Sequence, residues 1–239
     1  MWLLFRLIAN SMSGYTIVDN QKIESHITFI RINPDNVALT LREVFESLAN
    51  LSWINDFDAE YVRASFAVRA EATVKYIADN IIRSTDDSVT SDSGEYVISE
   101  LARKTIVNEL KYLDIPLAEL IKEQKSGNPG FDFYTVNGVN IVLFGEAKYI
   151  ADRNAYGSAF SQIVRFEEEK RHLADLVDID KFCCGESLNN VSVHNKKGFI
   201  AAFAAKATST ATLIQNIRNN EDFKKLSTHE ELICIAVNI

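Results

Sequence analysis

The residues best suited to chemistry lie in one short stretch. It reads Gly130-Phe131-Asp132-Phe133-Tyr134-Thr135-Val136, then Asn137-Gly138, then Val139 to Phe144, then Gly145-Glu146-Ala147-Lys148. Asn-Gly between two apolar runs predicts a hairpin. Side chains two apart in a strand share a face, so Glu146 and Lys148 point the same way and Ala147 the other. A two-residue turn at Asn137-Gly138 pairs Asp132 with a residue near 143. The twisted ladder then leaves Asp132 within one or two residues of Glu146. Two carboxylates and a lysine in one cleft suit phosphodiester hydrolysis. The carboxylates are hard oxygen ligands for Mg²⁺ or Mn²⁺, which polarises a phosphoryl oxygen and acidifies a bound water. The lysine orients that water or stabilises developing charge.

Context separates this reading from an ordinary surface Glu–Lys pair, which contributes little. Ile141-Val142-Leu143-Phe144 is continuously apolar, as in a strand buried on both faces. Two charges at the end of such a strand need a partner, a metal or each other. A long helical pattern follows the strand.

The Asp132…Glu146-Ala147-Lys148 pattern resembles the PD-(D/E)XK nuclease superfamily of restriction endonucleases and RecB-like exonucleases, over about residues 95–205. The resemblance implies a core of a helix, a three-stranded meander, a helix and a strand. Phe131 stands where that pattern often has proline, with Pro129-Gly130 just before it. The resemblance also implies roles for two residues outside the tripeptide. Gln162 lies four residues before Phe166, so the two share a helix face, and Gln162 is placed near the scissile phosphate. A glutamate of the preceding helix is a further metal ligand; Glu100 is the first candidate, with Glu95 and Glu109 behind it. More narrowly, Ser99 to Lys104, Gly127 to Phe133, Gly145 to Tyr149 and Ala159 to Phe166 are similar to the nuclease subunit of the Hachiman antiphage defence system. That implies a bacterial DNA nuclease working with a superfamily 2 helicase that restrains it. A standalone type II restriction endonuclease and a non-catalytic DNA-binding subunit on the same fold are the alternatives.

The elements that must position these residues follow from periodicity. The expected fold is α/β, a mixed sheet flanked by helices, with a restriction-endonuclease-like core and an N-terminal extension. Short strands are predicted at Thr16–Val18 and His26–Ile32, and helices over Leu39–Leu51 and Glu60–Ile82. The turn-rich run Ser84 to Gly94 divides an N-terminal segment, 1–83, from a nuclease-like domain, 95–239. The first is a candidate partner-docking region, through Trp2, Leu3, Phe5, Trp53 and Phe57, although ordinary core burial explains these residues better. Beyond the boundary come a helix from Ser93 to about Tyr112, a turn or short helix at Pro116–Lys122, the hairpin, a helix over Tyr156–Leu176, a strand at Gly198–Ala205, a helix over Thr208–Asn219 and a closing strand at Leu232–Ile239.

Composition narrows the classes. The 239 residues are 47% hydrophobic and 24% charged, with 3 prolines and 9 glycines, which suits a globular chain. A net charge of -8, from 25 basic and 33 acidic residues, argues against coating nucleic acid by bulk positive charge. It fits a subunit whose partner grips the DNA. The most basic stretch, 193–225, has Lys196, Lys197, Lys206, Arg218, Lys224 and Lys225 against Glu221 and Asp222. It is either a local phosphate track or a solvated face. Cys183, Cys184 and Cys234 form no disulfide framework, which suits a reducing cytoplasmic location. The apolar start, Met1 to Ala9, is interrupted by Arg6 and too short to span a membrane; with Met12 following, it is either an over-long start or a short packing element. The four histidines show no ligand or triad spacing. No nucleotide-binding glycine motif is present, so ATP use falls to a partner.

Overall fold

The computed structural model describes residues 14–36, 42, 45–77, 91–122 and 130–239. Six strands form one mixed sheet: β1 (Tyr15–Glu24), β2 (Ile27–Pro34), β3 (Phe133–Val136), β4 (Val142–Lys148), β5 (Gly198–Ala205) and β6 (Glu231–Asn238), in the order β1-β2-β6-β5-β4-β3. β2, β6, β5 and β4 run parallel, and β1 and β3 are antiparallel edges. All of β5 and the first seven residues of β6 are buried, so both faces of the sheet centre are covered. This is the setting in which strands read as unbroken apolar runs. Helices α1 (Glu60–Ile77), α2 (Ser91–Thr105), α3 (Ala118–Ile121) and α4 (Tyr156–Glu168) flank the sheet, with α5 (Arg171–Ala174), α6 (Leu176–Ile179), α7 (Gly185–Ser192), α8 (Thr210–Arg218) and α9 (Glu221–Leu226). The α/β class is as the sequence predicts.

Several local expectations change. The long helix expected over Tyr156–Leu176 ends at Glu168, because Lys170 turns the chain into the left-handed region at φ 57°. Two single-turn helices continue in a new direction. Helices α7 and α9 are additional to the sequence reading; the Asn220 side chain caps α9 by accepting from the Phe223 amide at 2.9 Å. Of the expected helices, 39–41, 43–44 and 78–82 lie outside the described residues, as do 84–90 of the expected linker and 127–129 of the expected turn. The meander has two strands rather than three. Residues 111–117 run beside β3, held by the Leu113 amide donating to the Val136 carbonyl at 3.0 Å, and Pro116 has no amide to extend a ladder.

The boundary near 84–94 does not separate two cores. β2 pairs with β6, and Ile27, Phe29 and Ile30 are fully buried in the common sheet. Trp53 and Phe57 pack with Phe66 and Phe182, ring centroids 5.1–6.2 Å apart, instead of forming an exposed patch. Trp2, Leu3 and Phe5 lie outside the described residues.

Candidate active site

The hairpin turn sets the site's register. Asn137 bonds back to Ile141 rather than closing a two-residue turn, and Asn140 takes a left-handed φ of 62°. Asparagine tolerates that conformation better than most residues. Val136 therefore faces Val142, and Phe133 faces Gly145. The expected partner of Asp132, near 143, moves to the neighbourhood of Glu146. Gly145 is required by packing: a Cβ there would lie 2.4 Å from the Phe133 ring.

Asp132 sits where the ladder gives way to side-chain bonding. Its amide donates to the Gly145 carbonyl at 2.9 Å, and its carbonyl accepts from the Ala118 amide at 2.8 Å. Its Oδ2 accepts from the Ala147 amide at 2.8 Å. Across from it, Glu146 is 0% exposed, and neither carboxylate oxygen has a hydrogen-bond partner. Lys148 Nζ lies 2.9 Å from Glu146 Oε1, as an ion pair outside hydrogen-bond geometry, and donates to Glu95 Oε1 at 3.0 Å. Asp132, Glu146 and Lys148 thus meet as the spacing predicts.

The electrostatics are those of crowded, dehydrated carboxylates. Burial and then Asp132 push the Glu146 carboxyl well above the ordinary range, with Lys148 opposing. Burial raises Asp132 to about 6 against the pull of Lys148 and the Ala147 amide. Burial tends to lower Lys148, but Glu146, Asp132 and Glu95 outweigh it and raise its pKa.

Glu100 is not part of this cluster. Helix positions five apart differ by about 140° around the axis, so when Glu95 faces Lys148, Glu100 faces elsewhere. It accepts from Arg103 Nε and Nη2, both at 2.8 Å, and from the Ser47 hydroxyl. Glu95 takes the place expected of Glu100. Gln162 lies half-buried on α4, with no side-chain hydrogen bond among the described residues. Its face-mate Phe166 packs edge-on against Phe131, centroids 5.4 Å apart, beside Asp132.

Glu119 is the acid that sequence reasoning missed. Helix α3 is tied to the hairpin by the Ala118–Asp132 bond and to α1 by the Thr73 hydroxyl donating to the Glu119 carbonyl at 2.7 Å. Glu119 Oε2 is buried without a partner, and burial, then the Asp132 charge, push its carboxyl up to about 8. A lone Glu in a single-turn helix carries no sequence signal; only the docking of α3 brings it here.

These residues fit a hard divalent cation. The Glu146 oxygens and Glu119 Oε2, which accept no hydrogen bond, are the acceptors such an ion satisfies, and mutual repulsion is what it relieves. Among the described residues no three acids converge into a ready-made cage; Lys148 stands between Glu146 and Glu95. Mg²⁺ needs only one or two carboxylates, since it retains waters.

Half of the basic residues in the stretch 193–225 are neutralised within the chain. Lys197 is buried and pairs with Glu167 at 3.2 Å, Lys224 pairs with Glu221, and Lys225 with Asp222. No family model matches the chain, and no curated protein matches it. Among the described residues no helix is long and apolar enough to cross a membrane.

Proposed function

We propose that this chain is a divalent-cation-dependent deoxyribonuclease that hydrolyses phosphodiester bonds at the Asp132–Glu146–Lys148 site. The observation that carries the reading is the Glu146 carboxylate: wholly buried, accepting no hydrogen bond at either oxygen, crowded by Asp132 and ion-paired only to Lys148. One ammonium does not balance the buried acids Asp132, Glu146 and Glu119, and a divalent cation would supply the missing charge. Asp132 and Glu146 would hold Mg²⁺ or Mn²⁺, flanked by Glu95 and Glu119. The ion supplies Lewis-acid polarisation and a more acidic bound water.

The protein's own groups do the rest. The Ala147 amide fixes the Asp132 carboxylate. Lys148, held between Glu146 and Glu95, offers its ammonium to the charge that develops on the phosphoryl oxygens. Gln162, on α4 with no side-chain hydrogen bond among the described residues, is free to meet the scissile phosphate. The chain's net charge of -8 and its internally paired lysines favour a partner that grips the DNA. With the sequence resemblance to the Hachiman nuclease subunit, this supports an effector subunit of a cytoplasmic bacterial antiphage complex containing a superfamily 2 helicase.

Plasmid cleavage with Mg²⁺ tests the reading, with wild type, Glu146→Ala and Lys148→Ala each assayed with and without a helicase encoded beside the gene. Cleavage is expected from wild type only, and to depend on the helicase. Sequence-specific cleavage by the lone protein would select a restriction endonuclease. No cleavage by folded wild type with metal, under either condition, would leave a DNA-binding subunit.

A further inference from the structure

The peptide just before Asp132 is gripped by side chains that lie outside the Asp…Glu-x-Lys pattern. Asp175 Oδ2 accepts from the Phe131 amide at 3.1 Å and from the Tyr134 hydroxyl at 2.8 Å. Asp175 Oδ1 pairs with Lys122 Nζ at 2.9 Å, and that ammonium donates to the Phe131 carbonyl at 3.3 Å. Both polar groups of residue 131 are therefore held by one ion pair. Its side chains are only 12% (Lys122) and 7% (Asp175) exposed. The Phe131 ring is fixed by Phe144, Phe166 and Phe199.

Gly130 shows how closely the chain approaches this pair. A Cβ there would lie 2.1 Å from Lys122 Nζ and 2.8 Å from Asp175 Oδ1. A buried ion pair is no more stabilising than apolar side chains of the same volume, because desolvation offsets the attraction. What it adds is direction: two fixed acceptors and a fixed donor on one peptide. Asp132 is the next residue, and its own backbone and carboxylate are tied to Gly145, Ala118 and Ala147. Its position is thus set from both sides.

We propose that Asp175, with Lys122, clamps the Phe131 peptide and so sets the Asp132 carboxylate where a divalent cation binds. Asp175 is a positioning residue for the proposed hydrolysis, and the inference rests on that reading. The Lys170 turn serves it, because ending α4 there lets α5 and α6 deliver Asp175 beneath the hairpin.

The test measures Mn²⁺ affinity of the full chain by calorimetry, well below the melting temperature, for wild type, Asp175→Ala, Asp175→Asn and Gly130→Ala. Groups that orient metal ligands typically contribute 10- to 100-fold in affinity. Asp175→Ala is expected to weaken Mn²⁺ binding at least ten-fold while circular dichroism stays native. Asp175→Asn keeps an acceptor for the Phe131 amide and is expected to lose less. Gly130→Ala keeps both charges but displaces them, and is expected to weaken binding as Asp175→Ala does. In the plasmid assay kcat is expected to fall more than KM rises. Unchanged Mn²⁺ affinity in folded Asp175→Ala overturns the clamp; if that variant does not fold, unchanged affinity in both Asp175→Asn and Gly130→Ala overturns it. Absence of Mn²⁺ binding by wild type overturns the cation site itself, a different result from either.

Discussion

Replacing Lys148 with methionine separates a buried charge cluster from a decorative surface pair. Lys148 Nζ is 2.9 Å from Glu146 Oε1, and their side chains are 16% and 0% exposed. At an effective dielectric of about 20, charges at that distance attract by roughly 6 kcal/mol. Relaxation and the exposed side of Lys148 reduce the net effect, and removing one member of a buried pair typically destabilises by about 3–5 kcal/mol. Lys148→Met is therefore expected to lose about 3 kcal/mol, or roughly 6–12 °C in Tm for a chain of this size. Glu146→Gln is expected to lose less, because it also removes the desolvation cost of a wholly buried carboxylate and leaves Lys148 paired with Glu95. The double variant should then lie near Glu146→Gln. Urea unfolding of all four proteins closes the cycle, with an expected coupling of about 2–4 kcal/mol. An exposed pair would couple by about 0.2–1 kcal/mol. A coupling below about 0.5 kcal/mol, or Lys148→Met as stable as wild type, refutes the buried-cluster reasoning.

Glu100→Gln is expected to leave Mn²⁺ affinity and cleavage unchanged while lowering stability by about 1–3 kcal/mol, since it weakens the Arg103 pair; a loss of Mn²⁺ binding in calorimetry would return Glu100 to the site. At pH 7 Glu119→Gln should raise the metal-free Tm, because it replaces a carboxyl that burial holds up to about 8 and that must therefore take up a proton on folding, and it should shrink the Tm increase that Mg²⁺ produces in wild type; an unchanged Mg²⁺ response would separate Glu119 from the cation. Burial and then Lys197 push buried His172 down to about 4. A depressed histidine leaves stability intact above its ordinary 6.5, and that stability drains as pH falls toward 4, by at most about 3 kcal/mol. Urea unfolding at pH 7.5 and pH 4.5 should show wild type losing more stability than His172→Gln; equal losses would contradict it.

The sequence by itself determined what local periodicity encodes. The alternation and apolar content of β4, β5 and β6, the glycine and asparagine of the hairpin, and the two-residue spacing of Glu146 and Lys148 are near-neighbour facts. They gave the α/β class and the central trio. The tertiary structure decided whatever depends on distant segments. The turn length is nearly local, yet Asn-Gly suggested two residues, and only the left-handed Asn140, whose side-chain amide donates to Glu186 and whose backbone carbonyl accepts from the Asn190 side chain, moved the register to Glu146. The sequence reading puts Glu100 of α2 first, yet Glu95 meets Lys148 instead, because the two lie about 140° apart on a helix whose rotation is set by packing. Glu119 and Asp175 reach Asp132 only because a short helix docks on α1 and a broken helix turns at Lys170. The N-terminal strands completed the same sheet because β2 found β6 as its partner, about 200 residues away in the chain. Spacing fixes which side chains share a face; the packing of remote elements fixes what that face meets.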